Sequence, residues 1–110
     1  IDAQKMARVF NNILKNAVAY SYQNTPIEVI AENTGSAICI TFQNKGKTIP
    51  KQKLESIFEK FFRLDEARGS NTGGAGLGLA IAKEIVTLHG GIIEAFSENE
   101  TTAFTVELPL

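Results

Sequence analysis

The sequence predicts an α+β fold, a two-layer sandwich carrying its helices on one face of a sheet. Three observations carry that prediction. Apolar residues recur at helical spacing in three separate segments, β-type runs come in two adjacent pairs, and a polar glycine-rich stretch divides the chain. The resulting order is helix, two strands, helix, loop, helix, two strands. A length of 110 residues suits one domain, 1–110, with a single core.

Met6, Val9, Phe10, Ile13, Leu14 and Ala17 lie on one helical face, with Asp2 placed to cap the start and Tyr20 near the end. Pro26 precedes two β-type runs, residues 27–32 and 37–42, with a turn at Asn33-Thr34-Gly35. A loop is expected over 44–48. Pro50 suits the first turn of a second helix, whose face is marked by Leu54, Ile57, Phe58 and Phe61. Residues 63–76 form the long polar loop; loops of that length in compact domains are usually functional or disordered. A third helix is expected from about Leu77, with Leu77, Ile81, Ile85 and Leu88 as its buried stripe and Gly90 as its stop. Two last strands follow at 91–97 and 102–108, joined by Glu98-Asn99-Glu100.

Composition narrows the class. Hydrophobic residues make up 44% and charged residues 21%, with a net charge of -1. No Lys or Arg run marks a nucleic-acid or anionic-membrane surface; Lys5, Lys15, Lys51 and Lys53 read as a solvated face. The lone Cys39 has no disulfide partner in the chain and reads as a small buried hydrophobe. No apolar stretch approaches the ~20 residues that span a bilayer. The chain begins at Ile1 without Met and reads as an excised fragment.

Two constellations carry chemistry. Asn12, Asn16 and Tyr20 are spaced i, i+4, i+8 and so stack along one edge of the first helix, beside its apolar face. An Asn carbonyl there can ligate Mg2+, although Asn is also tolerated at a helix border without a ligand. The second is Gly73-Gly74-Ala75-Gly76-Leu77-Gly78-Leu79. Its glycines permit close backbone approach, and the helix that follows offers unpaired N–H groups to an anion. Phosphate binding suits this arrangement; a plain linker before a helix is the alternative. No strand leads into these glycines, so the dinucleotide fingerprint is excluded, as is the Gly-Lys-Ser/Thr phosphate loop.

In order and separation these motifs resemble the histidine kinases. Asn12-Ile13-Leu14-Lys15-Asn16-Ala17 resembles the N box, Ile57 to Asp65 the F box, and Gly74-Ala75-Gly76-Leu77-Gly78-Leu79 the second glycine box. His89-Gly90-Gly91 and the closing Phe104 to Pro109 also fit. The run from Gln43 to Pro50 with its F box is most similar to the VanS-type sensors of vancomycin resistance. The resemblance implies the GHKL ATP-binding fold, a mixed sheet packed on three helices. It implies ATP and Mg2+ as ligands, with Asn16 on the metal and Asn12 on phosphate. Tyr20, Asn44, Gly46, Ile49, Leu77 and Thr102 would contact the nucleotide. Gly74, Gly76 and Gly78 would let the loop close over the phosphates, with Arg63 and Arg68 as its cations. It further implies transfer to a histidine on a separate helical dimerisation domain, which feeds a response regulator. The setting would be the cytoplasmic part of a bacterial membrane sensor, and the fragment itself would be monomeric.

The sequence departs from that pattern at several points. Asn44 stands where the family usually has an Asp that reads the adenine amino group. An amide still accepts and can also donate, so only charge assistance is lost, ~1 kcal/mol or under tenfold in affinity. Thr48 replaces a glycine, Ala19 a common Lys, and the third glycine box is reduced to Thr101-Thr102-Ala103-Phe104. ATP binding is therefore expected to be weakened rather than abolished. At Asn12, hydrolytic relatives of the fold carry a Glu; an amide cannot act as general base, which favours transfer over hydrolysis. His89, at a helix end, reads as structural rather than as a phosphoacceptor. Phe62 falls off the helical stripe and could dock the loop or the helical domain. A docking module without catalysis, a hydrolytic ATPase and an anti-sigma type serine kinase are the alternatives.

Overall fold

A computed structural model of the chain describes residues 2–60 and 78–110. The order is α1 (Ala3–Tyr20), β1 (Glu28–Asn33), β2 (Ala37–Lys45), α2 (Lys51–Leu54), α3 (Gly78–Leu88), β3 (Ile92–Glu98) and β4 (Thr101–Pro109). Phe61, Phe62, Arg63, Arg68, Gly74, Gly76 and Leu77 lie outside the described residues.

Helix α1 starts where Asp2 accepts a hydrogen bond from the Lys5 N–H at 3.1 Å, an N-cap that satisfies one of the first-turn donors. Its buried face is Met6, Val9, Ile13 and Ala17, with Phe10 and Leu14 packed at the margins. Burying Val9 and Ile13 completely contributes roughly 1.5–3 kcal/mol each.

The strands form one sheet in the order β1-β2-β4-β3. All its pairings are antiparallel, which corrects the expectation of a mixed sheet. The reason lies in the connections. Tight hairpins join β1 to β2 and β3 to β4, and β4 sits between β2 and β3. The strands that run the same way are thus never neighbours. The β3–β4 hairpin turns through Asn99 and Glu100, both at positive φ (52° and 59°), a two-residue loop whose twist suits the strands.

Period-two alternation turns Ile40, Phe42, Phe104, Val106 and Ile93 inward to meet α1 and α3, which pack on each other and on this face. Phe10 meets Phe42 with ring centroids 5.6 Å apart, and Phe58 meets Phe104 edge-on at 6.2 Å. Cys39 alternates to the other side of β2 and is half-buried there, not buried as expected.

Two helices differ from expectation. The second is only Lys51–Leu54, capped by Pro50; three-residue hydrogen bonds such as Ser56 N–H to the Lys53 carbonyl then tighten the chain into turns. Ile57 and Phe58 still reach the core from those turns. The buried face of α3 is Leu79, Ala82, Ile85 and Val86, while Leu88 is 72% exposed. Small Ala82 faces inward because α1 packs closely there. Gly90 ends α3 as expected, at φ 76°. The N–H groups of Gly90 and Gly91 close onto the carbonyls of Thr87 and Val86, a Schellman motif. Gly91 also leaves room for the Glu107 carbonyl, 2.4 Å from where a Cβ would stand.

None of the described helices is long and apolar enough to cross a membrane.

Candidate functional site

Strand β2 runs on past Phe42 to Lys45, through residues expected to be a loop. The extension decides the site. It puts Asn44 on the inward face, 4% exposed, opposite Thr102 of β4, itself opposite Ser97 of β3. Three polar side chains therefore form a row across one end of an otherwise apolar sheet face. The Ser97 and Thr102 hydroxyls are bonded to each other at 2.9 Å.

Above this row lies the C-terminal half of α1. Asn16 and Tyr20, one turn apart, face the same space. Asn16, Tyr20, Asn44, Thr48, Ile49 and Thr102 enclose a cavity of about 620 Å³, completed at its mouth by Ser21, Tyr22, Lys47, Pro50 and Lys53. That volume is in the range of small-molecule and cofactor sites. Lys53 is exposed, as expected, and also belongs to the cavity wall. With Lys47 it gives the site cationic side chains, despite the alanine at position 19.

The loop after β2 is held down at several points. Ile49 N–H donates to Ser97 Oγ at 2.8 Å, and the buried Ile49 side chain forms an apolar wall. Glu100 N–H donates to Thr48 Oγ1 at 2.8 Å, so the threonine that replaces a glycine ties this loop to the β3–β4 turn. Gly46 N–H donates to the Glu100 carbonyl at 3.0 Å. Gly46 itself does not line the cavity. A Cβ there would stand 2.3 Å from the Tyr20 carbonyl, so its bareness lets the end of α1 close on the sheet.

At the mouth, Tyr22 donates a hydrogen bond to the Glu100 carboxylate. That bond, with lesser help from desolvation and the carboxylate's charge, holds the phenol above its ordinary pKa of 10.0.

Asn12 lies two helical turns before Tyr20 and outside the cavity lining. Its Nδ2 donates to the Gly78 carbonyl at 3.1 Å, which brings α1 against the first residue of α3 and thus against the end of the glycine-rich segment. His89 is not displayed for chemistry. Its Nδ1 is 2.8 Å from the Ile85 carbonyl, and its Nε2 accepts the Asp2 N–H at 3.2 Å. The carbonyl only accepts and the N–H only donates, so this geometry suits the tautomer that carries its proton on Nδ1.

The structure thus gathers Asn16, Tyr20, Asn44, Ile49 and Thr102 around one space, and sets Asn12 and Gly78 together beside it. Ser97, Lys47 and Thr48 were not singled out as site residues by the sequence. Alternation along β3 would have placed Ser97 with Thr102, once the hairpin register was fixed. No group of three or more His, Cys, Asp or Glu side chains poised for a metal occurs among the described residues. A divalent cation here would take the Asn16 carbonyl and otherwise the ligand's own phosphates and water, a donor set that suits Mg2+.

Helices on one face of an antiparallel sheet, with an amide-lined cavity between the first helix and the sheet's end, define an α+β sandwich with a cofactor-sized site. The chain belongs to the family of histidine kinase-, DNA gyrase B- and HSP90-like ATPases, whose model matches residues 1–110. It is 61% identical to the sensor protein VanS of Enterococcus faecium over 98% of its length, and 46% identical to the sensor protein VanSC of Enterococcus gallinarum over 99%. It spans only 28% and 30% of those relatives. The fold matches the mycobacterial sensor histidine kinase MprB with a TM-score of 0.85 at 29% identity, covering 99% of this chain and 72% of that one. It also matches a nucleotide-free catalytic domain of the histidine kinase ThkA, with a TM-score of 0.83 at 28% identity, covering 98% and 69%.

Proposed function

We infer that this chain is the catalytic part of a VanS-type two-component sensor kinase. It binds Mg-ATP and donates the γ-phosphoryl group to a histidine on a separate helical dimerisation domain of the same kinase. That domain in turn serves a response regulator, on the cytoplasmic side of a membrane sensor. The observation that carries the reading is the row formed by buried Asn44 and Thr102 beneath Asn16 and Tyr20. It offers a polar base-reading end and a helix edge of amides leading away from it.

In this reading the base enters against Asn44 and Thr102, with Ile49 on its apolar side. The phosphates run along α1 toward Gly78, with Lys47 and Lys53 contributing positive charge at the mouth. Asn16 holds Mg2+, which supplies charge neutralisation for the phosphoryl group. Phosphoryl transfer depends mainly on such positioning and electrostatics. Asn12 is an amide, too weakly basic to take a proton from water, and its NH2 donates to Gly78. The reaction therefore waits for an outside nucleophile. Arg63, Arg68, Gly74, Gly76 and Leu77 complete this proposal on the strength of the family resemblance.

The test supplies γ-labelled ATP, Mg2+ and the phosphoacceptor domain of a VanS-type kinase. Alkali-stable, acid-labile label on the acceptor, lost in Asn16→Ala, is the expected result. Steady phosphate release without acceptor would point to a hydrolase. Nucleotide binding with no transfer would point to a docking module.

A further inference from the structure

The base-reading end of the cavity is chemically two-faced. Asn44 is 4% exposed, and its amide has no hydrogen-bond partner among the described residues. No fully buried side-chain polar atom among those residues lacks a partner. The Asn44 amide is therefore open to the cavity that it lines. Nothing fixes which of its ends, carbonyl or NH2, is presented where. A half-turn about its last side-chain bond exchanges the two at little steric cost, because they have nearly the same shape.

Its neighbour behaves alike. Ser97 Oγ accepts the Ile49 N–H, which leaves it a proton and a lone pair for Thr102, 2.9 Å away. If Ser97 donates, the Thr102 proton is free to point into the cavity. If Thr102 donates, its lone pair is presented instead. Either atom can be the donor. No carboxylate lines the cavity among the described residues. Both polar groups at its base end can thus exchange donor for acceptor.

A purine's six-membered edge poses one question to such a site. Adenine presents an amino donor beside a bare ring nitrogen. Hypoxanthine and guanine present a carbonyl oxygen beside a ring N–H, the reverse order. An acceptor-only carboxylate in place of Asn44 would take the first and repel the second. A free amide meets either edge with two hydrogen bonds, turned one way or the other.

We propose that this cavity accepts 6-oxopurine nucleoside triphosphates alongside ATP, with Asn44 as the residue that permits it. The proposal deepens the nucleotide-binding reading and rests on it. Inosine triphosphate is the cleanest probe, because it reverses the edge without adding guanine's 2-amino group.

The experiment is calorimetric titration of the chain with Mg2+ and non-hydrolysable analogues of ATP, ITP and GTP, for wild type and Asn44→Asp. Wild type is expected to bind the ITP analogue within about tenfold of the ATP analogue, since the two edges make equal numbers of neutral hydrogen bonds. In Asn44→Asp the gap should widen to about a hundredfold or more, as a buried carboxylate faces a carbonyl. ATP binding by the variant shows that it is folded. A wild-type gap of a hundredfold would overturn the proposal whatever the variant does, and so would an equally small gap in the variant. GTP alone failing while ITP binds supports it and locates a clash at the 2-amino group. If wild type binds no analogue, the nucleotide reading itself falls, which is a distinct result.

Discussion

The side-chain amide of Asn12 donates a 3.1 Å hydrogen bond to the carbonyl oxygen of Gly78, 66 residues further along the chain. Beside the apolar packing of the two helices, this contact ties the helix that carries Asn16 and Tyr20 to the helix that follows the glycine-rich segment. It gives the first Asn of the pair a mechanical role beside any chemical one.

Asn12→Ala removes the donor and leaves a half-buried carbonyl without its partner, so it should destabilise the chain by about 1 kcal/mol. Asn12→Asp keeps the size but aims a carboxylate at that carbonyl, so its loss should be at least as large. Urea denaturation of the three proteins checks the order; an Asp variant as stable as wild type would refute the contact.

Gly46 meets the Tyr20 carbonyl where a Cβ would stand 2.3 Å from it. Gly46→Ala must therefore push the end of α1 away from β2. The expected cost is about 1–3 kcal/mol, the range for overpacking a close contact. Nucleotide affinity should fall with it, since Tyr20 forms part of the cavity wall. Denaturation and calorimetry on the same samples check both.

His89 accepts the Asp2 N–H and lies against the Ile85 carbonyl. His89→Ala should lower stability by about 1 kcal/mol, because the bond to Asp2 is exposed. It should leave transfer to an added acceptor domain intact, and the wild-type chain alone should take up no label. Label on His89 itself would reverse this assignment.

Much of the fold is legible in the sequence. The three-then-one-then-three spacing from Met6 to Ala17 identified α1 and its buried face, and Asp2 and Gly90 marked true helix ends. The strand pairs were legible for the same reason: their runs are apolar and bounded by turn residues. Asn44-Lys45 misled, because a polar pair leading into Gly46 reads as the start of a loop. Alternation in fact sends Gln43 and Lys45 outward and only Asn44 inward. The stripe on α3 misled for a different reason. Leu77, Ile81, Ile85 and Leu88 read as one helical stripe, whereas the face turned to the core is Leu79, Ala82, Ile85 and Val86, which leaves Leu88 outside. Ser97 was illegible as a site residue because its partners, Ile49 and Thr102, come from two other segments.

Tyr22 titrates above its ordinary 10.0, chiefly because it donates to Glu100. A pKa raised on folding contributes stability that is complete below about pH 10 and lost as pH rises through the folded value. Spectrophotometric titration should show one tyrosine ionising late, and Glu100→Gln should bring it back toward the ordinary value. Stability should fall less steeply above pH 10 in Tyr22→Phe than in wild type.

The most direct measurement of the central claim is calorimetric titration with a non-hydrolysable Mg-ATP analogue, comparing wild type, Asn16→Ala and Asn44→Ala. Saturable binding that requires Mg2+ and weakens in both variants, by about tenfold where Asn44 loses its paired hydrogen bonds, is the expected result. No binding at millimolar ligand by a folded chain, or equal binding by all three proteins, would contradict a nucleotide site built on these two amides.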